Sequence, residues 1–278
     1  MNKTWTFLSL SLALTNTFAD ALLVENRSWT GFYVGGNAGY LWSAHNIISN
    51  TATPSYGNPT FGAGTVAMAE SLALLGTNHI LHSSNGFIGG GQVGYNAQFA
   101  DHLVIGLDAD LDAINQSNDT FTMTRSVSTP GQGTHNANIS ITKKLDYLGL
   151  IKGRLGVLVT PSFLLYGSGA FAYGGATFNT SYSITETNPI FSPINVQNNV
   201  SKTLAGWAAG AGGEWMFFPA WGLKVEYIFY NIGTKHTNLP LNQSLATTPP
   251  IDYATAVLES KTKFTENTVT VGINYHFL

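Results

Sequence analysis

Seven stretches of this sequence alternate apolar and polar residues with a period of two, and an eighth of similar length is apolar throughout. In 103–114, Leu103, Ile105, Leu107, Ala109, Leu111 and Ala113 share one parity, and Asp108, Asp110 and Asp112 share the other. A period of two places one set of side chains on each face of a β-strand. The same pattern runs through 30–42, 86–99, 144–159, 203–218, 222–232 and 267–277. Segment 163–177 is apolar on both parities, so its phase is open. Each stretch is long enough for a tilted membrane crossing of about 9–11 residues. Beyond residue 21, no run reaches the ~18–20 apolar residues of a spanning helix. A chain that crosses a bilayer without such helices does so as a closed barrel.

The connections support this reading. Short ones, Ala100-Asp101-His102, Thr160-Pro161-Ser162 and Pro219-Ala220-Trp221, alternate with long ones at 43–85, 117–142, 179–201 and 236–263 that are rich in Asn, Thr, Ser and Pro. Short turns on one side and long loops on the other are the habit of membrane barrels. Aromatic residues near strand ends (Trp29, Trp42, Phe99, Trp215, Phe217, Trp221, Tyr275 and Phe277) are placed as interfacial girdles. The expectation is all-β: an eight-stranded antiparallel transmembrane β-barrel with four long extracellular loops and short periplasmic turns. Within the first long loop, Val66, Ala69, Leu72 and Leu75 have helical spacing and Gly76 ends the run, which predicts a helix resting on the barrel mouth.

Composition removes other classes. The chain has no cysteine, so disulfide scaffolds and zinc–thiolate sites are excluded. With 12 Lys+Arg against 15 Asp+Glu it lacks the basic footprint of a nucleic-acid binder. Residues 1–21 form a secretory signal peptide: Lys3, an apolar run from Trp5 to Leu14, and small residues for cleavage after Ala19 or Ala21. Residues 22–278 then form one barrel domain.

On the inward parity the candidates are Asp108, Asp110, Asp112, Asp146, Lys152, Arg154, Glu214, Lys224 and Glu226. An eight-stranded barrel is filled by its own side chains. These charges are therefore expected to form a paired interior network, with a narrow polar path as the alternative. Asp108-x-Asp110-x-Asp112 lacks the turn glycine and closing glutamate of a calcium loop. His79-x-x-His82 would set two imidazoles on one helical face, a geometry open to haem or a metal, against the plainer reading of loop histidines. No GxSxG occurs, and strand parity assembles no Ser/His/Asp set, so the chain is not read as an enzyme. The runs 89–91 and 210–213 are glycine-rich but precede no helix, so they are not phosphate cradles.

WTGFYVGGNAGYLW (29–42) with GFIGGGQVGYNAQF (86–99) resembles the opening hairpin of the opacity-type, OmpA-like surface antigens of Gram-negative outer membranes. The resemblance continues through 146–174 and 206–233 and closes with TVTVGINYHF (268–277). It implies residence in the outer membrane among lipid and lipopolysaccharide, with insertion by the barrel assembly machinery. Relatives are described variously as surface antigens, porin-like or haem-binding. The expected role is a structural and interactional one in the envelope, with loops open to host or other cell-surface ligands. The alternative is a minor porin, or a protein binding and taking up haem or another small ligand. No cofactor is expected, with haem entering only through the relatives. The family's terminal Phe is read as an assembly signal, which places Tyr275 and Phe277 in that role; Leu278 follows as a departure.

Overall fold

The structure is a computed structural model. It describes residues 28–44, 47–55, 63–81, 83–116, 120–131, 133–187, 193–244 and 253–277. The leader expected over 1–21 and the terminal Leu278 lie outside the described residues. The elements are β1 (Gly31–Ser43), β2 (Ile47–Ser55), α1 (Ala63–Gly76), β3 (Asn78–Leu81), β4 (Asn85–Phe99), β5 (Leu103–Gln116), β6 (Thr120–Thr129), β7 (Gly133–Thr160), β8 (Phe163–Glu186), β9 (Ile194–Phe218), β10 (Trp221–Ser244) and β11 (Tyr253–His276).

Eight of these strands close a ring in the order β1-β4-β5-β7-β8-β9-β10-β11, and β11 returns to β1. All the pairings are antiparallel. Tight turns join the strands at one end, and long hairpins rise from the other. The alternation decides which side chain goes where. Phe32, Leu107, Ile151, Leu155, Val225 and Val271 stand exposed on the outer wall, while their neighbours of opposite parity are buried in the lumen. Segment 163–177, ambiguous in sequence, resolves with Leu164, Tyr166 and Ala172 inward and Leu165 and Phe171 outward. Both parities are apolar there because its inward residues join two apolar clusters of the lumen, Leu164 and Tyr166 the one at the turn end and Ala172 and Ala176 a layer higher up. Leu41, Ile88, Ile114, Leu148, Leu150, Ala172, Ile228, Tyr230 and Phe264 form this layer.

Two bulges adjust the pattern. The register slips between Leu145 and Tyr147, so Asp146, expected inward, is exposed on the outer wall, and Leu145, expected outward, is buried. Parity counting assumes an unbroken strand, and one extra residue inverts it. A second slip between Asn231 and Thr234 contains Gly233 at φ 98°, a backbone conformation glycine adopts without strain. Trp29 is also relocated. It is not a girdle residue but a buried plug at the turn end, its indole N–H donating to Pro161 O at 3.1 Å. It packs there with Val104, Leu158, Leu164, Tyr166 and Met216.

The long connections are largely strand. Past the ring, β6 pairs with β7, and β7, β8 and β9 continue together. On the other side β10 and β11 continue with β2 and β3. The β9–β10 pairing reaches only Trp207 and Asn231, so the hairpin end divides into two four-stranded sheets. Ala137, Ile139, Ile141, Phe178 and Ile184 of one sheet face Ile48, Leu239, Leu241, Ala256 and Leu258 of the other across a shared core. Helix α1 fills the middle of that core. It packs against β2, β6 and β11, and its Met68, Ala69, Leu72, Ala73 and Leu75 are all buried. One side of α1 is buried between the sheets, while Glu70 and Leu74 stay exposed on the other, so the helix packs into the hairpin end above the ring. Its C-terminal carbonyl, Gly76 O, accepts bonds from Asn78 Nδ2 at 3.0 Å and Tyr182 OH at 3.3 Å.

The outward parity of the β6–β9 sheet carries only Ser, Thr, Asn and Gln between Thr134 and Thr142, Thr177 and Thr185, and Asn195 and Thr203. Cross-strand hydroxyl contacts hold several of these, such as Thr120–Thr142 at 2.9 Å and Thr177–Ser201 at 3.0 Å.

If α1 is the core of a separate layer, Leu72→Ala should cost that layer about 2–5 kcal/mol and leave the ring closed. Limited proteolysis in detergent should then trim the hairpin end faster, while a heat-modifiable core survives. Loss of the heat-modifiable band would contradict the layered account.

Candidate functional site

The lumen of the ring holds the charges. Lys152, on β7, projects its ammonium among three carboxylates: Asp108 Oδ1 at 3.3 Å, Asp110 Oδ2 at 3.0 Å and Glu226 Oε2 at 2.9 Å. The register explains the meeting. Asp108 faces Lys152 directly across the β5–β7 pair, and Glu226 reaches in from β10 on the opposite wall. Lys224 Nζ joins Glu226 Oε2 at 3.1 Å and also donates to Gln92, whose amide contacts Asn274. Asn274 Nδ2 donates to Glu214 Oε1 at 2.7 Å, and His276 Nε2 lies 2.8 Å from the same oxygen. Arg154 completes the chain with Nη1 at 3.1 Å from Glu214 Oε2 and Nε donating to Asn96 Oδ1 at 2.9 Å. Its guanidinium also lies over the ring of Tyr33 at 4.5 Å, and Tyr33 OH donates to Asp108 Oδ2 at 2.8 Å.

Eight of the nine sequence candidates thus lie in the lumen, and all but Asp112 join this network by ion pairs. Asp112 is buried beside Asn37, which donates to it. Asp146 is apart from the rest: it pairs with Lys144 at 3.0 Å on the outer wall and accepts from Thr177. Sequence reasoning missed Gln92, Asn96, Asn274, His276 and Tyr33. Their parity on the same strands marks them as inward, but they carry no net charge to draw notice. It also missed Lys143 and Glu266, paired at 3.2 Å above the apolar layer, because Lys143 borders a stretch read as loop.

His79 stands on β3, beyond the end of α1, with Nδ1 3.3 Å from Ser49 Oγ. The helical spacing needed to present it with His82 is therefore absent, and His82 lies outside the described residues. Tyr275 and Phe277 are exposed on the outer wall at the turn end, their rings 5.1 Å apart, with Tyr275 also 5.1 Å from Trp221. Two hollows lie on the same outer wall. One of about 850 Å³ is lined by Val34, Ala38, Leu223, Val271 and Ile273, and another of about 500 Å³ by Val93, Leu111 and Ile151. Both are shallow grooves between bulky apolar ridges, where the exterior meets hydrocarbon.

A closed ring with an aliphatic exterior and a buried ionic interior is a membrane barrel. Residues 6–277 match the family model described as outer membrane protein beta-barrel domain. The chain belongs to that family. It is 28% identical over 261 residues to the 31 kDa outer-membrane immunogenic protein of Brucella melitensis, covering 91% of this chain and 86% of that protein. Among solved structures it is similar to OprG of Pseudomonas aeruginosa, at 11% identity and a TM-score of 0.34, covering 89% of this chain and 97% of that one. It is also similar to Ail of Yersinia pestis, at 11% identity and a TM-score of 0.30, covering 84% and 99%. This family member is an outer-membrane surface protein. Its turn end faces the periplasm and its hairpin end the exterior.

Removing Lys152 strands three carboxylates in the lumen. Lys152→Met should cost about 3–5 kcal/mol of barrel stability. Because protonation removes the uncompensated charge, the deficit should shrink as pH falls. Urea titration of the refolded barrel, read by heat-modifiable mobility at two pH values, measures both. A variant as stable as the parent at neutral pH would mean the network contributes no net pairing.

Proposed function

We propose that this chain is a closed, non-catalytic envelope protein whose working part is the pair of extracellular sheets. The observation that carries the reading is the stacking of layers along the axis. A solute entering from the periplasm meets the Trp29 plug, then the ionic network, then the Leu148–Leu150–Ile228–Phe264 layer, and finally the core around α1. Three of these layers are apolar and leave nothing to replace an ion's hydration. The polar layer commits most of its charges to one another. This favours an interactional role over passage of small solutes. It also leaves the carboxylates engaged in pairing rather than poised for proton transfer. The polar outward face of the β6–β9 sheet, built from short uncharged side chains, gives the chain a large extracellular wall for contact with other surface molecules.

Planar bilayer recording tests the reading. The wild-type barrel should give no conductance steps above baseline. Deleting residues 63–76 should still give none, because the Phe264 layer and the ionic network remain below. Regular steps from the wild type would overturn the closed reading in favour of a minor pore.

A further inference from the structure

The outward face of the β6–β9 sheet has a polar hollow of about 250 Å³. It sits where two cross-strand rows lie one above the other. Thr142, Asn179 and Asn199 form the lower row, and Ser140, Ser181 and Gln197 the upper. Ser140, Asn179 and Ser181 are half-buried and make the floor, while Gln197 and Asn199 are exposed and make the rim on β9. Thr142 is held by Thr120 at 2.9 Å. The other five side chains have no hydrogen-bond partner among the described residues. The rows around them differ. Below, Thr177 meets Ser201 at 3.0 Å and Tyr147 meets Thr203 at 3.0 Å; above, Ser126 donates to Asn136 at 2.6 Å. At the centre of the hollow, Asn179 Oδ1 is buried without a donor. An acceptor kept from water in this way is destabilising until a donor reaches it.

Chemistry and position define what such a hollow holds. It contains no charge, and the ionised groups beneath it on the same face, Lys144 and Asp146, neutralise each other at 3.0 Å. An ion entering it would give up water for a site without a countercharge. Hydroxyls and carboxamides are each donor and acceptor at once. A ligand that meets several of them side by side must carry adjacent donor–acceptor groups of its own, as the vicinal hydroxyls of a sugar do. The volume lies just below the usual range of small-ligand pockets, about 300–1,000 Å³, which suits one sugar ring of a longer chain. Height says where that sugar comes from. Asn179 and Ser181 lie eight and ten residues beyond Phe171, which is level with Trp207 in the aromatic row. At about 3.3 Å per residue and a tilt of about 40°, the hollow is ~20–25 Å above that row. The headgroup layer is about 5–8 Å deep, so the hollow opens well outside it. The phosphates and acidic sugars that an outer leaflet anchors would find no cation here.

We infer that this hollow binds one uncharged sugar residue of a glycan that reaches the cell from outside its own membrane, with Asn179, Ser181, Gln197 and Asn199 as its hydrogen-bonding partners. Neutrality selects against the anionic sugars of the leaflet, and the mixed donor–acceptor lining selects a polyol over a simple acceptor or donor. The inference rests on the reading of the extracellular sheet as the working part and names the chemistry that part takes. The two fail separately. Conductance steps would overturn the closed barrel and leave sugar binding standing, and absent sugar binding would leave the barrel closed.

The test uses the full barrel refolded in a polyoxyethylene detergent, which has no sugar headgroup. The probes are the methyl glycosides of glucose, galactose, mannose and N-acetylglucosamine, and saturation-transfer NMR reads binding from their protons. At least one of them should give a signal with the wild type. Ser181→Leu fills the hollow and should abolish that signal. Gln197→Ala should weaken binding about fivefold, the share of one net hydrogen bond. Thr185→Val, two rows higher on β8, should leave it unchanged. N-acetylneuraminic acid, an anionic sugar, should give no signal, and deacylated lipopolysaccharide core should compete no better than the neutral probe. Heat-modifiable mobility confirms that each variant is closed. Silence from all the neutral glycosides, or a wild-type signal from Ser181→Leu, overturns the inference. Tighter binding of N-acetylneuraminic acid or of the deacylated core also overturns it, because the hollow would then select charge or the cell's own leaflet.

Discussion

Hydrocarbon offers no hydrogen bonds, so every backbone N–H and C=O that enters it must be satisfied within the protein. This chain meets that demand by returning β11 to β1, from Tyr33 opposite His276 to Ser43 opposite Glu266. Closure then dictates the rest. A shut ring of eight strands has two surfaces and no edge, so alternate residues must suit lipid or a narrow lumen. The aliphatic parity goes outward, and the charged parity is forced into a space with little water, where charges are tolerable only when paired. The convergence of Asp108, Asp110 and Glu226 on Lys152 is the consequence of closure rather than a separate device.

Outside the membrane the demand relaxes, and the structure changes character at that height. The β9–β10 ladder stops at Trp207, the ring opens into two sheets, and an apolar core takes over from backbone closure as the organising force. Helix α1 makes this possible by supplying Met68, Leu72 and Leu75 to a space that neither sheet fills alone. The protein is thus a membrane barrel carrying a small extracellular domain built from extensions of the same strands.

Much of this was legible in the sequence, and the failures have physical causes. Period two identified the eight spanning strands and the inward set because lipid punishes errors of parity. It failed at Asp146, where a bulge inserts one residue, and at 163–177, where the lumen is as apolar as the exterior. It failed more broadly above the membrane. The outward Ser, Thr and Asn of β7–β9 read as loop composition, yet they are the wet face of strands whose inner face is Ile139, Ile141, Tyr182 and Ile184. Trp29 was misplaced because an aromatic at a strand end serves equally as an interfacial anchor or as a plug, and only packing decides. The uncharged partners of the network, Gln92, Asn96 and Asn274, were passed over because polarity without charge is a weak signal on a short strand.

The central claim is that alternate residues of one strand meet lipid and a filled, dry lumen. The absence of native cysteine makes it directly measurable: single cysteines at 104–112 of β5 can be spin-labelled in lipid and scored for collision with oxygen and with a water-soluble nickel chelate. The account predicts high oxygen access at positions 105, 107, 109 and 111, and low access to both reagents at 106, 108, 110 and 112. Nickel access at the even positions would reveal a wet, open lumen, and loss of the two-residue period would show that β5 does not face lipid at all.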